Sequence, residues 1–119
     1  EHHGFIISSP EYNSSITVAL KNAIDRVSRA PPKNDVSVFA GKTAILCAAS
    51  PGALGGLRGL VHLRAILGNI GVTVLPDQVA VGQAYQAFAP DGALVDAKQD
   101  QRVRHLGATL ARHLAKLLA

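Results

Sequence analysis

The chain has 119 residues, of which 48% are hydrophobic and 17% charged, with 12 Lys and Arg against 8 Asp and Glu for a formal net charge of +4. That length favours one domain or part of one, and the apolar content is too high for a disordered chain. A single Cys makes no internal disulfide and too small a set for a Cys-based zinc site, and no apolar run is long enough to span a bilayer.

A compact globule of this size has a radius of gyration of about 13–14 Å. With no secretory leader pattern and one Cys, a soluble cytoplasmic protein is the expectation. The basic balance invites a nucleic-acid reading. However, the charges are scattered, and only two Tyr and three Phe are present to stack on bases. The longest basic cluster is Arg102, Arg104, His105, Arg112, His113 and Lys116 on the last helical pattern. It reads as a solvated helix face, or as attraction to an anionic ligand.

Phe5-Ile6-Ile7, bounded by Gly4 and by Ser8-Ser9-Pro10, predicts a buried strand. Pro10 to Ser15 is turn chemistry, with Ser14 or Ser15 placed to cap a helix. Ile16, Ala19, Leu20, Ala23, Ile24 and Val27 then recur at helical spacing, opposite Lys21, Asn22, Asp25, Arg26 and Arg29. The segment Ala30-Pro31-Pro32-Lys33-Asn34-Asp35 ends that helix as a surface loop.

Residues Thr43 to Ala48 are apolar almost throughout, as in a strand buried on both faces of a parallel sheet. A glycine-rich loop follows, Ser50-Pro51-Gly52-Ala53-Leu54-Gly55-Gly56. The next helix carries Leu57, Leu60, Val61, Leu63, Ile66, Leu67 and Ile70, and Asn69 and Gly71 stop it. Val72 to Leu75 predicts a third strand that Pro76 interrupts, with Val79-Ala80-Val81 resuming it. Residues 82–97 read as irregular, with Asp77 and Asp91 as turn residues. A final helix is expected from about Lys98 to Leu118, striped by Val103, Leu106, Leu110, Leu114 and Leu117.

The order β-α-β-α-β-α implies right-handed crossovers and an open parallel α/β sheet. Ligands of such sheets bind beyond the carboxyl ends of the strands. Two loops occupy that edge, Ser9 to Asn13 and Ser50 to Gly56. Their N–H groups, their glycines and the Tyr12 ring suit a flat aromatic ligand with polar edges. Ordinary Gly-, Pro-, Ser- and Asn-rich turns are the other reading of both.

The residues Gly4-Phe5-Ile6-Ile7-Ser8-Ser9-Pro10-Glu11-Tyr12-Asn13-Ser14-Ser15-Ile16, with Leu20-Lys21-Asn22-Ala23-Ile24-Asp25, closely resemble the NADPH-dependent FMN reductase family. So do Ser50-Pro51-Gly52-Ala53-Leu54-Gly55-Gly56-Leu57-Arg58 and His62-Leu63-Arg64. The family includes quinone and chromate reductases and has a flavodoxin-like fold. The resemblance implies FMN between the two loops, with Pro10, Glu11, Tyr12 and Asn13 framing the isoalloxazine ring and Ser50, Pro51, Gly52, Gly55 and Gly56 closing its other edge. It also implies NAD(P)H as co-substrate, a small-molecule electron acceptor, and a homodimer or homotetramer. The flavin carries the redox chemistry, so no catalytic side chain is required.

Three departures stand out: Ser14 where the family often has Gly, Val18 near a usual Gly or Pro, and Arg26 where an aromatic is common. A larger one concerns extent. The chain corresponds to strands 3, 4 and 5 of the flavodoxin-like order, so residues 1–119 are expected to be a partial domain, lacking the first two strands with their helices and the loop that wraps the FMN phosphate. The first strand is then expected to expose a raw edge, and this polypeptide alone to bind FMN poorly. A non-catalytic α/β interaction fragment is the alternative reading.

Five other side chains attract attention. Cys47, mid-strand among apolar residues, is expected to be an inert buried thiol. Arg58 and His62 share a helix face near Arg64 and suit a subunit contact or a solvated face. His105 and His113 lie about two turns apart with no acidic partner for a site.

Overall fold

The computed structural model describes residues 2–32 and 34–119, so Lys33 of the expected surface loop lies outside the described residues. Three strands form one sheet: β1 (Gly4–Ser8), β2 (Thr43–Ala49) and β3 (Thr73–Val81), in the order β1-β2-β3. Both pairings are parallel. The helices are α1 (Val18–Val27), α2 (Leu57–Asn69), a short α3 (Ala84–Ala87) and α4 (Ala97–Leu117).

Alternation along β2 sorts the core into two layers. Ala44, Leu46 and Ala48 join Ile24 of α1 and Leu60, Leu63 and Leu67 of α2 in one cluster. Ile45 points the other way and joins Leu75, Val79 and Val81 of β3 with Leu106 and Leu110 of α4. The two right-handed crossovers put α1 and α2 on one face, which leaves the opposite face to α4. Each cluster contains side chains near zero exposure, and burying one such Leu or Ile contributes roughly 1.5–3 kcal/mol. The architecture is the open parallel α/β sheet that the element order predicts, of the flavodoxin-like kind that the resemblance implies.

The outline is flatter than a compact globule of this length. The radius of gyration is 15.1 Å and the principal extents are 45 × 37 × 23 Å. Three strands make a narrow sheet, and the 21-residue α4 covers one face of it. Among the described residues β1 pairs only with β2, so its outer backbone edge is open, and Ile6 is 60% exposed.

Several local expectations need correction. Pro76 does not divide the third strand; β3 is continuous and carries a bulge there. Ala44 pairs with Val74 and Leu46 with Gln78, so Ile45 alone faces the stretch from Leu75 to Asp77. A proline with no N–H fits where the ladder is already broken. Asp77 therefore sits in a strand bulge, whereas Asp91 is the turn residue expected, its Oδ1 accepting from the Ala93 N–H.

The cap of α1 is Thr17, whose Oγ1 accepts from the Leu20 N–H at 3.1 Å. Ser14 and Ser15 do not cap it, because both belong to a tighter turn described below. Ile16 is buried just ahead of the helix. The segment after β3 holds the short α3, which the turn residues around it had concealed. Cys47 is half-buried rather than buried, at the rim of the α4-side cluster.

Candidate functional site

The loops after β1, β2 and β3 all leave the same edge of the sheet, because all three strands run parallel. Tyr12 and Gly52 therefore lie at one end. What holds the loops there is specific backbone chemistry.

The loop after β1 is anchored where the Ser9 N–H donates to the Cys47 carbonyl at 2.9 Å. Tyr12 and Ser15 then exchange N–H···O=C bonds of 3.0 and 3.2 Å around Asn13 and Ser14. Both central residues have positive φ, 53° and 67°. This is the two-residue hairpin geometry whose twist demands that region twice, and Asn tolerates it better than Ser. Glycine, the frequent family residue at Ser14, suits the same φ.

The loop after β2 closes on itself and on β3. The Gly55 N–H donates to the Gly52 carbonyl, the Ser50 N–H to the Val81 carbonyl, and the Gln83 N–H to the Gly52 carbonyl. Gly55 has φ +64°, and a Cβ there would stand 2.6 Å from the Val81 carbonyl carbon and the Gly82 nitrogen. Backbone on backbone at that distance admits no side chain.

Gly56 is the N-cap of α2, with φ 91° and no capping side chain. A Cβ added to it would lie 2.8 Å from the Ala48 Cβ and 3.6 Å from the Glu11 Cβ. The two loops meet across this glycine. The cap that Gly56 cannot provide comes from the other loop: Glu11 Oε2 accepts from the Gly59 N–H at 3.0 Å, and Oε1 from Arg58 Nη2 at 3.1 Å. The bond from Gly59 is the chief cause that holds the Glu11 carboxyl below the ordinary carboxylate range; desolvation opposes it, and Arg58 adds to the lowering. Negative charge at a helix N-terminus is also favoured by the aligned peptide dipoles. One helical turn on, His62 Nδ1 lies 2.8 Å from Ser15 Oγ.

Of the residues expected to face a flat ligand, Tyr12 is 67% exposed, and Pro10, Asn13, Pro51 and Gly52 are open to solvent at this edge. Gly55 and Gly56 are buried and shape the loop from within, and Ser50 is half-buried with its Oγ accepting from the Gly52 N–H at 3.3 Å. Among the described residues, the N–H groups of Asn13, Ser14, Ala53 and Leu54 have no acceptor within the protein. Unspent donors, a bare glycine and an exposed phenol ring fit the carbonyls, ring nitrogens and face of a flavin. Arg58 and His62 both turn inward to the first loop, and Arg64 turns to β3, donating to the Leu75 carbonyl and Gln78 Oε1 at 2.8 Å each. The spacing of these residues suggested a shared face but not these partners. No group of His, Cys, Asp and Glu suited to a metal ion occurs among the described residues, and no helix there is long and apolar enough to cross a membrane.

Residues 1–86 match the sequence model of the NADPH-dependent FMN reductases, and that stretch contains both loops. The chain belongs to this family. It is 38% identical over 100 residues to an NAD(P)H-dependent FMN reductase of Pseudomonas aeruginosa, covering 83% of this chain and 52% of that protein. An NAD(P)H:quinone oxidoreductase of Solanum tuberosum is 40% identical over 103 residues, covering 84% of this chain and 50% of the relative. Among solved structures, the flavoenzyme NAD(P)H:(acceptor) oxidoreductase FerB of Paracoccus denitrificans superposes with a TM-score of 0.72 at 28% identity, over 89% of this chain and 58% of that one. The chain thus spans about half the length of the curated relatives it matches.

Proposed function

We propose that this chain is the flavin-ring half of an FMN-dependent NAD(P)H oxidoreductase that reduces a quinone or a similar small acceptor. The observation that carries the reading is the meeting of the two loops at Glu11 and Gly56, on one sheet edge, with free N–H donors on both sides. Family membership supports the same chemistry.

When bound, FMN supplies hydride and electron transfer between NAD(P)H and the acceptor. The chain's residues hold the ring. Tyr12 packs on it, while the N–H groups of Asn13, Ser14, Ala53 and Leu54 donate to its polar edge. Pro10 and Pro51 keep both loops stiff, and Gly52 lets the backbone approach. Glu11 does not reach the ring through its carboxylate, which is already committed to Gly59 and Arg58; it positions the loop. Gly55 and Gly56 act likewise, by allowing the close packing beneath.

This reading places the protein in the cytoplasm as a homodimer or homotetramer. Leu54 of the loop with Leu57 and Val61 of α2 support the association, as exposed apolar residues.

Nuclear magnetic resonance with 15N-labelled chain tests the site. Adding FMN to about 1 mM, near the weak-binding range, is expected to shift the amides of residues 11–14, 50 and 52–56. Tyr12→Ala is expected to weaken the titration about threefold or more through loss of ring packing. If none of those amides moves at several times that concentration (on the order of 5 mM), the ring site is wrong.

A further inference from the structure

The bulge in β3 has a consequence on the α4 side of the sheet. Leu75 to Asp77 swell out opposite Ile45, and a cavity of about 570 Å³ opens between the bulge and the first half of α4. Its walls include Asp77 and Gln78 from the strand and Lys98, Arg102, His105 and Leu106 from the helix. It lies on a different face from α1 and α2, beside β3, one of the two edge strands of the sheet.

Four features give this cavity a chemical preference. Lys98, Arg102 and His105 follow the i, i+4, i+7 spacing that puts them on one helix face. Among the described residues neither Lys98 nor Arg102 has an ion-pair partner, whereas Arg104 on the same helix is paired with Asp100 at 2.7 Å. Asp77 is the one carboxylate among the lining residues, against two permanent cations. The floor is apolar, with Val79 and Leu106 each 3% exposed. Cations at the rim over an apolar floor recognise an anion that carries a hydrophobic body.

We propose that this cavity binds a small organic phosphate, its phosphate held by Lys98, Arg102 and His105 and its apolar body seated on Val79 and Leu106. The inference uses no residue of the flavin loops and stands or falls separately from that reading.

The probe is 1-naphthyl phosphate, titrated into 15N-labelled chain at low ionic strength. Saturable shifts are expected in residues 77–79 and 98–106, with a dissociation constant on the order of 1 mM or tighter. The double variant Lys98→Ala/Arg102→Ala, altered only at exposed positions, is expected to weaken binding about tenfold, and 1-naphthol at equal concentration to leave those amides unmoved. Non-saturating drift spread over all basic residues overturns the proposal. So does an undiminished affinity in the double variant, or a response confined to residues 11–14, 50 and 52–56.

Discussion

Glu11 closes the N-terminus of a helix that begins far along the chain: its Oε2 lies 3.0 Å from the Gly59 nitrogen, across a separation of 48 residues. The helix needs this because its own N-cap is a glycine held at φ 91° against Ala48. A residue with a capping side chain at Gly56 would strain the backbone and collide with β2. The cap is therefore delivered by the neighbouring loop, and the bond that stabilises α2 also fixes the place of Tyr12 and Asn13.

Replacing Glu11 with Gln is expected to lower the melting temperature by about 3–6 °C at pH 7, as for a lost helix cap in a domain of this size. The difference depends on pH in a definite direction. Because the folded carboxyl sits below its ordinary value of 4.5, its contribution is complete above that value and is lost as pH falls through the lowered folded one. Melting curves from pH 7 down to about pH 2 check this. The two proteins should converge on the acid side, and a constant gap would mean that the carboxylate's charge is irrelevant.

The β3 bulge is held from the opposite face by Arg64, whose guanidinium donates to the carbonyls of Val74 and Leu75 at 3.3 and 2.8 Å and to Gln78 Oε1 at 2.8 Å. Arg64→Ala leaves those partly buried acceptors unpaired and is expected to cost about 2 kcal/mol by urea denaturation. Amide exchange of Leu75 and of residues 77–79 should accelerate more than that of β2. Arg64→Lys should recover only part of the loss, since an ammonium on a flexible stem does not reproduce the planar fork.

Periodicity exposed the three strands, the long helices and the two loops at one sheet edge, because buried runs and turn residues leave local traces. What it concealed was non-local. Pro76 reads as an interruption before Val79-Ala80-Val81, yet β3 is continuous through it, and only the bulge opposite Ile45 and the hold of Arg64 explain why. Ser14 and Ser15 looked like caps of α1, but Ser14 was taken by a hairpin turn and Ser15 by Tyr12 and His62. The resemblance implies Glu11 as a ring-framing residue, but nothing in its own neighbourhood announces the helix N-terminus 48 residues away that its carboxylate caps. Local chemistry named the loops, and tertiary contacts decided which of their side chains remain free.

The glycines divide along the same line, and they make the sharpest stability test. Gly55 combines φ +64° with backbone atoms 2.6 Å from any added Cβ, so Gly55→Ala must move the β2 loop away from β3. Strain and overpacking together are expected to cost about 3 kcal/mol or more. Gly68 is an exposed position inside α2 where an added Cβ meets nothing within 4 Å. There the same substitution only removes backbone freedom from the unfolded chain and is expected to stabilise by roughly 0.5–1 kcal/mol. Urea denaturation of the two single variants should move the midpoint in opposite directions. A Gly55→Ala protein as stable as the parent would mean that the loops after β2 and β3 are not packed backbone to backbone, and the ring site built on that packing would lose its floor.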